Sequence, residues 1–88
     1  DTLTFKEDNP QYVSVRYQST DKHLIYIDTQ LSGKYDIYHV SGIYISSGYF
    51  GDEYDNNNIV LNDCAAGTYI VIFHANNGIV EPKRIIVD

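Results

Sequence analysis

The chain has 88 residues and a net charge of −6, from 12 acidic and 6 basic side chains. This length indicates one domain with a small interior, which argues against a deep, enclosed active site. The acidic balance argues against a nucleic-acid partner, because phosphate backbones require a basic surface. No apolar stretch is long enough to span a bilayer, so we expect no membrane insertion of this segment.

The predicted elements begin after residues 1–11, which we interpret as a linker or a loosely held first strand. Residues 12–18 alternate between apolar and polar side chains, which predicts a strand buried on one face. Residues 23–28 are apolar on both faces, which predicts a central strand. Further strands are predicted at 35–40, 43–50 and 59–61, with a tight turn at 41–42 and a loop over 51–58.

The last third of the chain, residues 65–88, predicts a β-hairpin. A run of apolar, β-branched and aromatic residues at 67–74 is followed by Asn76-Asn77-Gly78 and a second such run. Asn-Gly between two runs favours a type I′ turn, which needs positive φ at both central residues. Pro82 interrupts the second run and indicates an edge strand or a bulge.

Together these segments predict an all-β domain over residues 12–88. About seven short strands with frequent turn signals are typical of an antiparallel β-sandwich, and a small barrel is the alternative. The abundance of Tyr, Ile and Val fits half-buried pleated surfaces. Cys64 is the only cysteine, and we interpret it as a small half-buried apolar residue.

The sequence predicts no catalytic site and no cofactor. His23, His39 and His74 lie in or beside strands, and no pair has the spacing of a zinc-binding motif. His39 precedes Ser41 by two residues, a spacing that predicts one shared strand face and no catalytic triad.

The acidic segment 52–58 is the most site-like cluster, because closely spaced oxygen ligands suit Ca²⁺. Asp55 and Asn57 match the first two positions of a calcium loop. However, no glycine follows at the turn, and Ala66 stands where a bidentate glutamate is required. We therefore expect no metal and interpret the segment as a solvated, flexible hairpin tip.

A cluster of tyrosines is the best candidate for a binding surface. Its members are Tyr35, Tyr38, Tyr44, Tyr49 and Tyr54. On adjacent strands, exposed tyrosines form an amphipathic surface suited to a peptide or a sugar. The alternative is that the rings are core residues and cross-strand pairs. The sequence indicates Tyr38, Tyr44, Tyr49 and Tyr54 as the possible binding surface.

Three stretches of the chain resemble a known family. They are the two strands around Ser41-Gly42 within 33–45, the run AGTYIV at 66–71, and the ending formed by Asn77-Gly78 and residues 83–87. Together they resemble the C-terminal sorting-type β-sandwich domains of Bacteroidetes type IX secretion. In size and strand pattern the chain also resembles small stand-alone secreted Bacteroidetes sandwiches of unknown function.

Both resemblances imply an Ig-like antiparallel sandwich and export from the cytoplasm, and neither implies catalytic residues. The positions that match the structural motif are Gly42, Gly67, Tyr69, Gly78, Lys83 and Val87. The resemblance implies that the glycines serve turns and that Tyr69 and Val87 are core residues. It also implies that Lys83 precedes the final strand.

We therefore expect a non-catalytic, periplasmic, cell-surface or extracellular interaction module whose signal peptide has been removed. Its expected partner is a protein or a glycan at the cell surface. One alternative is a C-terminal sorting or attachment domain of a larger secreted protein. Another is a carbohydrate-binding module that uses the exposed tyrosines. An open sheet edge also offers backbone groups to an extended partner.

Overall fold

The computed structural model describes residues 12–19, 23–61 and 64–88. Its seven strands are β1 Val13–Ser19, β2 His23–Thr29, β3 Gly33–His39, β4 Tyr44–Phe50, β5 Asn58–Val60, β6 Gly67–Ala75 and β7 Val80–Val87. A single 3₁₀ turn, Asp52–Tyr54, follows β4. Residues 1–11, predicted as a linker or loose strand, and the side chain of His23 lie outside the described residues.

The strands form two antiparallel sheets, which confirms the predicted sandwich. The three-stranded sheet has the order β1-β2-β5, and the four-stranded sheet has the order β4-β3-β6-β7. This arrangement corresponds to strands A-B-E and C′-C-F-G of immunoglobulin-like sandwiches. The central position of β2, between β1 and β5, agrees with the prediction from its two apolar faces.

One core fills the space between the sheets, because successive side chains of a strand point to opposite faces. In β6, Tyr69, Val71 and Phe73 are buried, while the residues between them face outward. Cys64 packs half-buried against this core, as predicted. The other buried apolar residues are Val13, Ile25, Ile27, Ile37, Phe50, Ile59, Leu61, Ile85 and Val87.

The phenol of Tyr69 fixes the corner that leads into β6. Its hydroxyl donates to the carbonyl oxygen of Ala65 at 2.7 Å. A tyrosine near the start of strand F that bonds back to its own corner is a recurring feature of immunoglobulin-like sandwiches. Burial, together with the neighbouring Cys64, raises the pKa of the Tyr69 phenol. The hydroxyl therefore keeps its proton and remains a donor.

Both hairpins of the four-stranded sheet close with a three-residue turn. The type I′ turn predicted between β6 and β7, which has two central residues, is therefore wrong. Between β6 and β7, Gly78 N–H donates to Ala75 at 3.0 Å, and Ala75 N–H donates to Ile79 at 2.8 Å. Gly78 has a φ of 95°, whereas neither asparagine before it has a positive φ. This is a type I turn followed by a glycine bulge. Gly42, with a φ of 101°, closes β3 and β4 in the same way.

The start of β3 and the extent of the final strand differ most from the predictions, and the other boundaries agree within one residue. β3 begins at Gly33, two residues before the predicted start, because Gly33 already pairs with Ala75 of β6. The backbone of β6 approaches so closely that a Cβ at Gly33 would lie 2.1 Å from the carbonyl oxygen of His74. The final strand continues through Pro82, which sits on the edge strand β7 as predicted. Lys83 consequently lies within the final strand and does not precede it.

An ion pair closes the side of the sandwich between β7 and β1. Lys83 Nζ lies 2.8 Å from Glu81 Oε2, and both side chains are largely buried. The other oxygen of Glu81 accepts the backbone N–H of Tyr12 at 2.7 Å. Burial alone would raise the pKa of Glu81, but the hydrogen bonds and the charge of Lys83 outweigh it and hold the pKa below its usual range.

Candidate functional site

Three of the four tyrosines predicted as a binding surface lie on the outer face, which we define as the side of the four-stranded sheet away from the core. Tyr38 pairs with Tyr44 across β3 and β4, and Tyr49 pairs with Lys34. Tyr44 and Tyr49 are each 55% exposed. Tyr54 lies in the 3₁₀ turn beyond β4 and is 39% exposed. All four rings therefore gather along β4.

The four tyrosines form two ring pairs. Tyr38 and Tyr44 meet edge to face with their centroids 5.8 Å apart. Tyr49 and Tyr54 lie 4.8 Å apart with an interplanar angle of 31°. Such pairs are worth about 0.5–1.5 kcal/mol beyond the area they bury. They hold the rings in position before any partner arrives.

Tyr35, the fifth tyrosine of the cluster, points to the core side. Its ring lies across Gly48, where a Cβ would come within 2.5 Å of the hydroxyl. The ring also tilts against Phe73 at 6.5 Å. Burial, and after it the proximity of Tyr44, raises the pKa of the Tyr35 phenol. This member of the cluster agrees with the alternative interpretation of the tyrosines as core residues.

A chain of polar side chains crosses the outer face beside the tyrosines. The hydroxyl of Tyr44 lies 2.7 Å from Ser47 Oγ, which donates to Asp36 Oδ1 at 2.5 Å. The second oxygen of Asp36 lies 3.3 Å from His74 Nε2, and Lys34 Nζ lies 4.0 Å from the first. The Asp36 carboxylate therefore lies at the centre of these contacts. The serine contacts a carboxylate and not an imidazole, which differs from the arrangement of acyl-transfer enzymes.

The half of the outer face formed by β6 and β7 carries aliphatic side chains on either side of Arg84, which pairs with Ile70. Val80 is 57% exposed and Ile86 is 62% exposed. Ile70 and Ile72 lie beside them and are half-buried. The outer side of an antiparallel sheet that packs with one face on a core is commonly polar. Contiguous exposed apolar patches are a feature of interaction surfaces, and here Val80 and Ile86 lie six residues apart on β7, with Arg84 between them.

His39 and Ser41 contact each other, although they do not share a strand face as predicted. Ser41 lies in the turn after β3, and its Oγ is 2.8 Å from Nδ1 of His39. The Ser41 backbone N–H donates to the same nitrogen at 3.1 Å. The His39 ring packs edge-on against Tyr69 at 5.2 Å. Within the described ranges no carboxylate contacts His39, so the pair lacks the group that orients a catalytic histidine.

The acidic segment 52–58 crosses from one sheet to the other and is not a hairpin tip, because β4 and β5 belong to different sheets. Asn56 and Gly51 exchange backbone hydrogen bonds of 2.8 and 3.2 Å. The side chain of Asn56 donates to the carbonyl oxygen of Tyr49 at 2.7 Å. In the part of the chain that the structure describes, no three His, Cys, Asp or Glu side chains converge as a metal site.

A groove of about 630 Å³ lies on the outer side of the three-stranded sheet. Residues 55–58 of its lining belong to the acidic segment 52–58. The sequence alone yields no site prediction for Arg16, Tyr26 and Asp28, which also line the groove. The floor of the groove carries Arg16, whose guanidinium lies 4.8 Å from the centre of the Tyr26 ring. Residues 55–58 form its wall, and Asp28 also lines it. Alternation along 12–18 places Arg16 on the polar face of β1. Its meeting with residues 55–58 depends on long-range register, which local sequence does not specify.

No protein-family model, curated protein or solved structure matches the chain. No helix in the described ranges is long and apolar enough to cross a membrane. The two outer surfaces of the sandwich are the candidate binding sites, one aromatic and aliphatic, the other polar and grooved.

Proposed function

We propose that this domain is a non-catalytic, exported interaction module that binds a protein partner through its outer face. The observation that supports the proposal is the exposure of large apolar side chains there: Tyr44, Tyr49, Val80 and Ile86 are each more than half exposed. Tyrosine is favoured in binding surfaces because its rigid ring offers a large contact area at a low entropic cost.

The polar chain through Asp36 complements these apolar groups. Protein interfaces combine a few aromatic anchors with polar groups that fix register and orientation. Ser47, Asp36 and His74 are already linked by contacts of 2.5 and 3.3 Å. Their positions are therefore set before binding, which reduces the entropic cost of ordering them in a complex.

The proposal is tested by affinity capture from periplasmic and surface extracts of the source organism, followed by titration of the purified captured protein. We expect the double variant Tyr44→Ala/Tyr49→Ala to raise the Kd at least about tenfold, because truncated aromatic anchors dominate interface losses. Tyr12→Ala is the matched control, since Tyr12 is 45% exposed and lies at the start of the other sheet. Equal affinities for the double variant and the wild type would contradict the proposal.

A second candidate is a C-terminal sorting or attachment domain of a larger secreted protein. In its favour, Tyr69 and Val87 occupy core positions and Gly42 and Gly78 occupy turns, as the resemblance to type IX sorting domains implies. The length of the native precursor distinguishes the candidates. A long passenger ahead of this domain would favour sorting, whereas a precursor of one signal peptide plus this domain would exclude it.

Saccharide binding by the tyrosines is a third candidate. The observation in its favour is the close, slightly tilted pair of Tyr49 and Tyr54, both partly exposed. Aromatic rings present an apolar face against which a sugar can stack. A glycan array that compares the wild type with Tyr44→Ala and Tyr49→Ala tests this candidate, and the absence of binding by the wild type would exclude it.

A further inference from the structure

The groove on the three-stranded sheet is pre-formed. Ile27 N–H donates to the carbonyl oxygen of Asn57 at 2.8 Å, which ties the wall to β2. On its other side the wall is held by the paired hydrogen bonds between Asn56 and Gly51. Asp55 adopts a left-handed φ of 52°, which turns the chain into the wall. The groove therefore needs no ligand to take its shape, and binding costs little reorganisation.

Four polar side chains that line the groove have no side-chain hydrogen-bond partner among the described residues. They are Arg16, Asp28, Asn57 and Asn58. Arginine and amide nitrogens donate hydrogen bonds, and carboxylate and amide oxygens accept them. The lining thus offers both donors and acceptors to one ligand.

The spacing of these groups follows from strand register. Arg16, Tyr26 and Asn58 occupy one row across the three strands. Asp28 occupies the next row, paired with Ser14. Rows that point to the same face are two residues apart along a strand, about 6.7 Å. A ligand about as wide as one sugar ring would reach both rows.

We propose that this groove binds a neutral saccharide. Its volume lies within the range of about 300–1,000 Å³ found for small-molecule sites. Sugar hydroxyls both donate and accept hydrogen bonds, which matches the mixed lining of donors and acceptors. Among the described residues that line the groove, the carboxylates Asp28 and Asp55 outnumber the cation Arg16, which disfavours phosphates and uronic acids. The proposal concerns a second surface and does not depend on the protein partner proposed for the outer face.

The test is an NMR titration of the isotope-labelled domain. The probes are glucose, galactose, mannose and N-acetylglucosamine, each as a free sugar and as a disaccharide, with glucuronate and glucosamine as charged controls. We expect at least one neutral sugar to bind with a Kd of about 1 mM, perturbing the amides of Ile27 and residues 55–58.

Two variants of the groove and two controls define the outcome. Asp28→Asn should raise the Kd at least about tenfold by removing a charged acceptor, and Asn57→Ala should raise it several-fold. Asp36→Asn, the same chemical change on the outer face, and Tyr44→Ala should leave it unchanged. A thermal melt of each variant confirms folding.

Three results would overturn the proposal: no perturbation by any neutral sugar, tighter binding of glucuronate or glucosamine, or loss of binding in Tyr44→Ala with the groove variants unaffected. The last result would place the sugar on the tyrosines. None of these results bears on capture of a protein by the outer face, because that experiment responds to Tyr44 and Tyr49 and not to Asp28.

Discussion

The two outer surfaces of this sandwich differ in chemistry although they arise from the same strand alternation. The four-stranded sheet displays tyrosine pairs, the polar side chains linked through Asp36, and exposed aliphatic residues. The three-stranded sheet displays a polar groove around Arg16 and Tyr26. The fully buried residues between the sheets are apolar, and the ion pair of Glu81 and Lys83 lies at their margin. The side chains that face inward thus determine the fold, while those that face outward are free to form two different kinds of surface.

The largest expected effect contrasts neighbouring residues of β4 that point to opposite sides. Phe50 is fully buried and meets Phe73 edge to face at 5.0 Å. Phe50→Ala should lower the free energy of unfolding by about 3–5 kcal/mol through the cavity it leaves. Tyr49→Ala should change it by no more than about 1.5 kcal/mol, the upper value for its ring pair with Tyr54. Urea denaturation of both variants measures the difference, and equal losses would contradict the assignment of faces.

A smaller effect is expected from removing one hydroxyl on each side of the four-stranded sheet. Tyr69→Phe leaves the carbonyl of Ala65 without its buried donor and should cost about 1–3 kcal/mol. Tyr44→Phe, whose hydroxyl contacts the partly exposed Ser47, should cost less than about 0.5 kcal/mol, as surface changes usually do. Each variant lacks one hydroxyl oxygen relative to the wild type. Comparing their thermal or chemical denaturation therefore isolates the contribution of the Tyr69 corner.

Glu81 adds a pH dependence to the inward side. Because its pKa is lower in the folded than in the unfolded chain, its contribution is present above the unfolded-state pKa and is lost as pH falls through the folded-state pKa. Glu81→Gln should therefore lower the free energy of unfolding by about 1–2 kcal/mol at pH 7. The gap to the wild type should narrow as pH falls below the ordinary glutamate pKa of 4.5 and close below the lower folded-state pKa. A gap that stays constant from pH 7 to pH 3 would rule out this role.

The smallest expected effect concerns the acidic segment that joins the two sheets. In the described part of the chain, no three His, Cys, Asp or Glu side chains lie close enough together to hold a metal ion. Calcium binding to the native state would stabilise it by mass action. We expect millimolar Ca²⁺ to leave the Tm unchanged in differential scanning calorimetry, and a rise of several degrees would show that the native domain binds calcium.

Much of the fold follows from local pattern. Alternation in 12–18 correctly predicts a strand buried on one face, the doubly apolar 23–28 a central strand, and the runs around Asn76 the final hairpin. The turn type does not follow, because Asn-Gly occurs in both two-residue and three-residue loops and only loop length separates them. The start of β3 at Gly33 depends on how closely β6 approaches, which is a tertiary fact.

The candidate sites divide in the same way. Tyr38, Tyr44 and Tyr49 were predictable because they lie on adjacent strands joined by a short turn. The inward orientation of Tyr35 was not predictable, because its ring fits only where Gly48 of the neighbouring strand has no side chain. The groove was missed because its residues come from two strands and a crossing segment that are far apart in sequence.

The turn between β6 and β7 has a consequence for the chemical lifetime of the protein. Asn77 is followed by glycine, the pairing in which the next backbone nitrogen most readily attacks the side-chain amide to form a succinimide. In the folded turn, however, Gly78 N–H is donated to Ala75 at 3.0 Å, and the Asn77 side-chain oxygen accepts the N–H of Ile79 at 3.1 Å. Deamidation therefore requires the turn to open. The rate of Asn77 deamidation in stored protein would therefore measure how often the final hairpin opens.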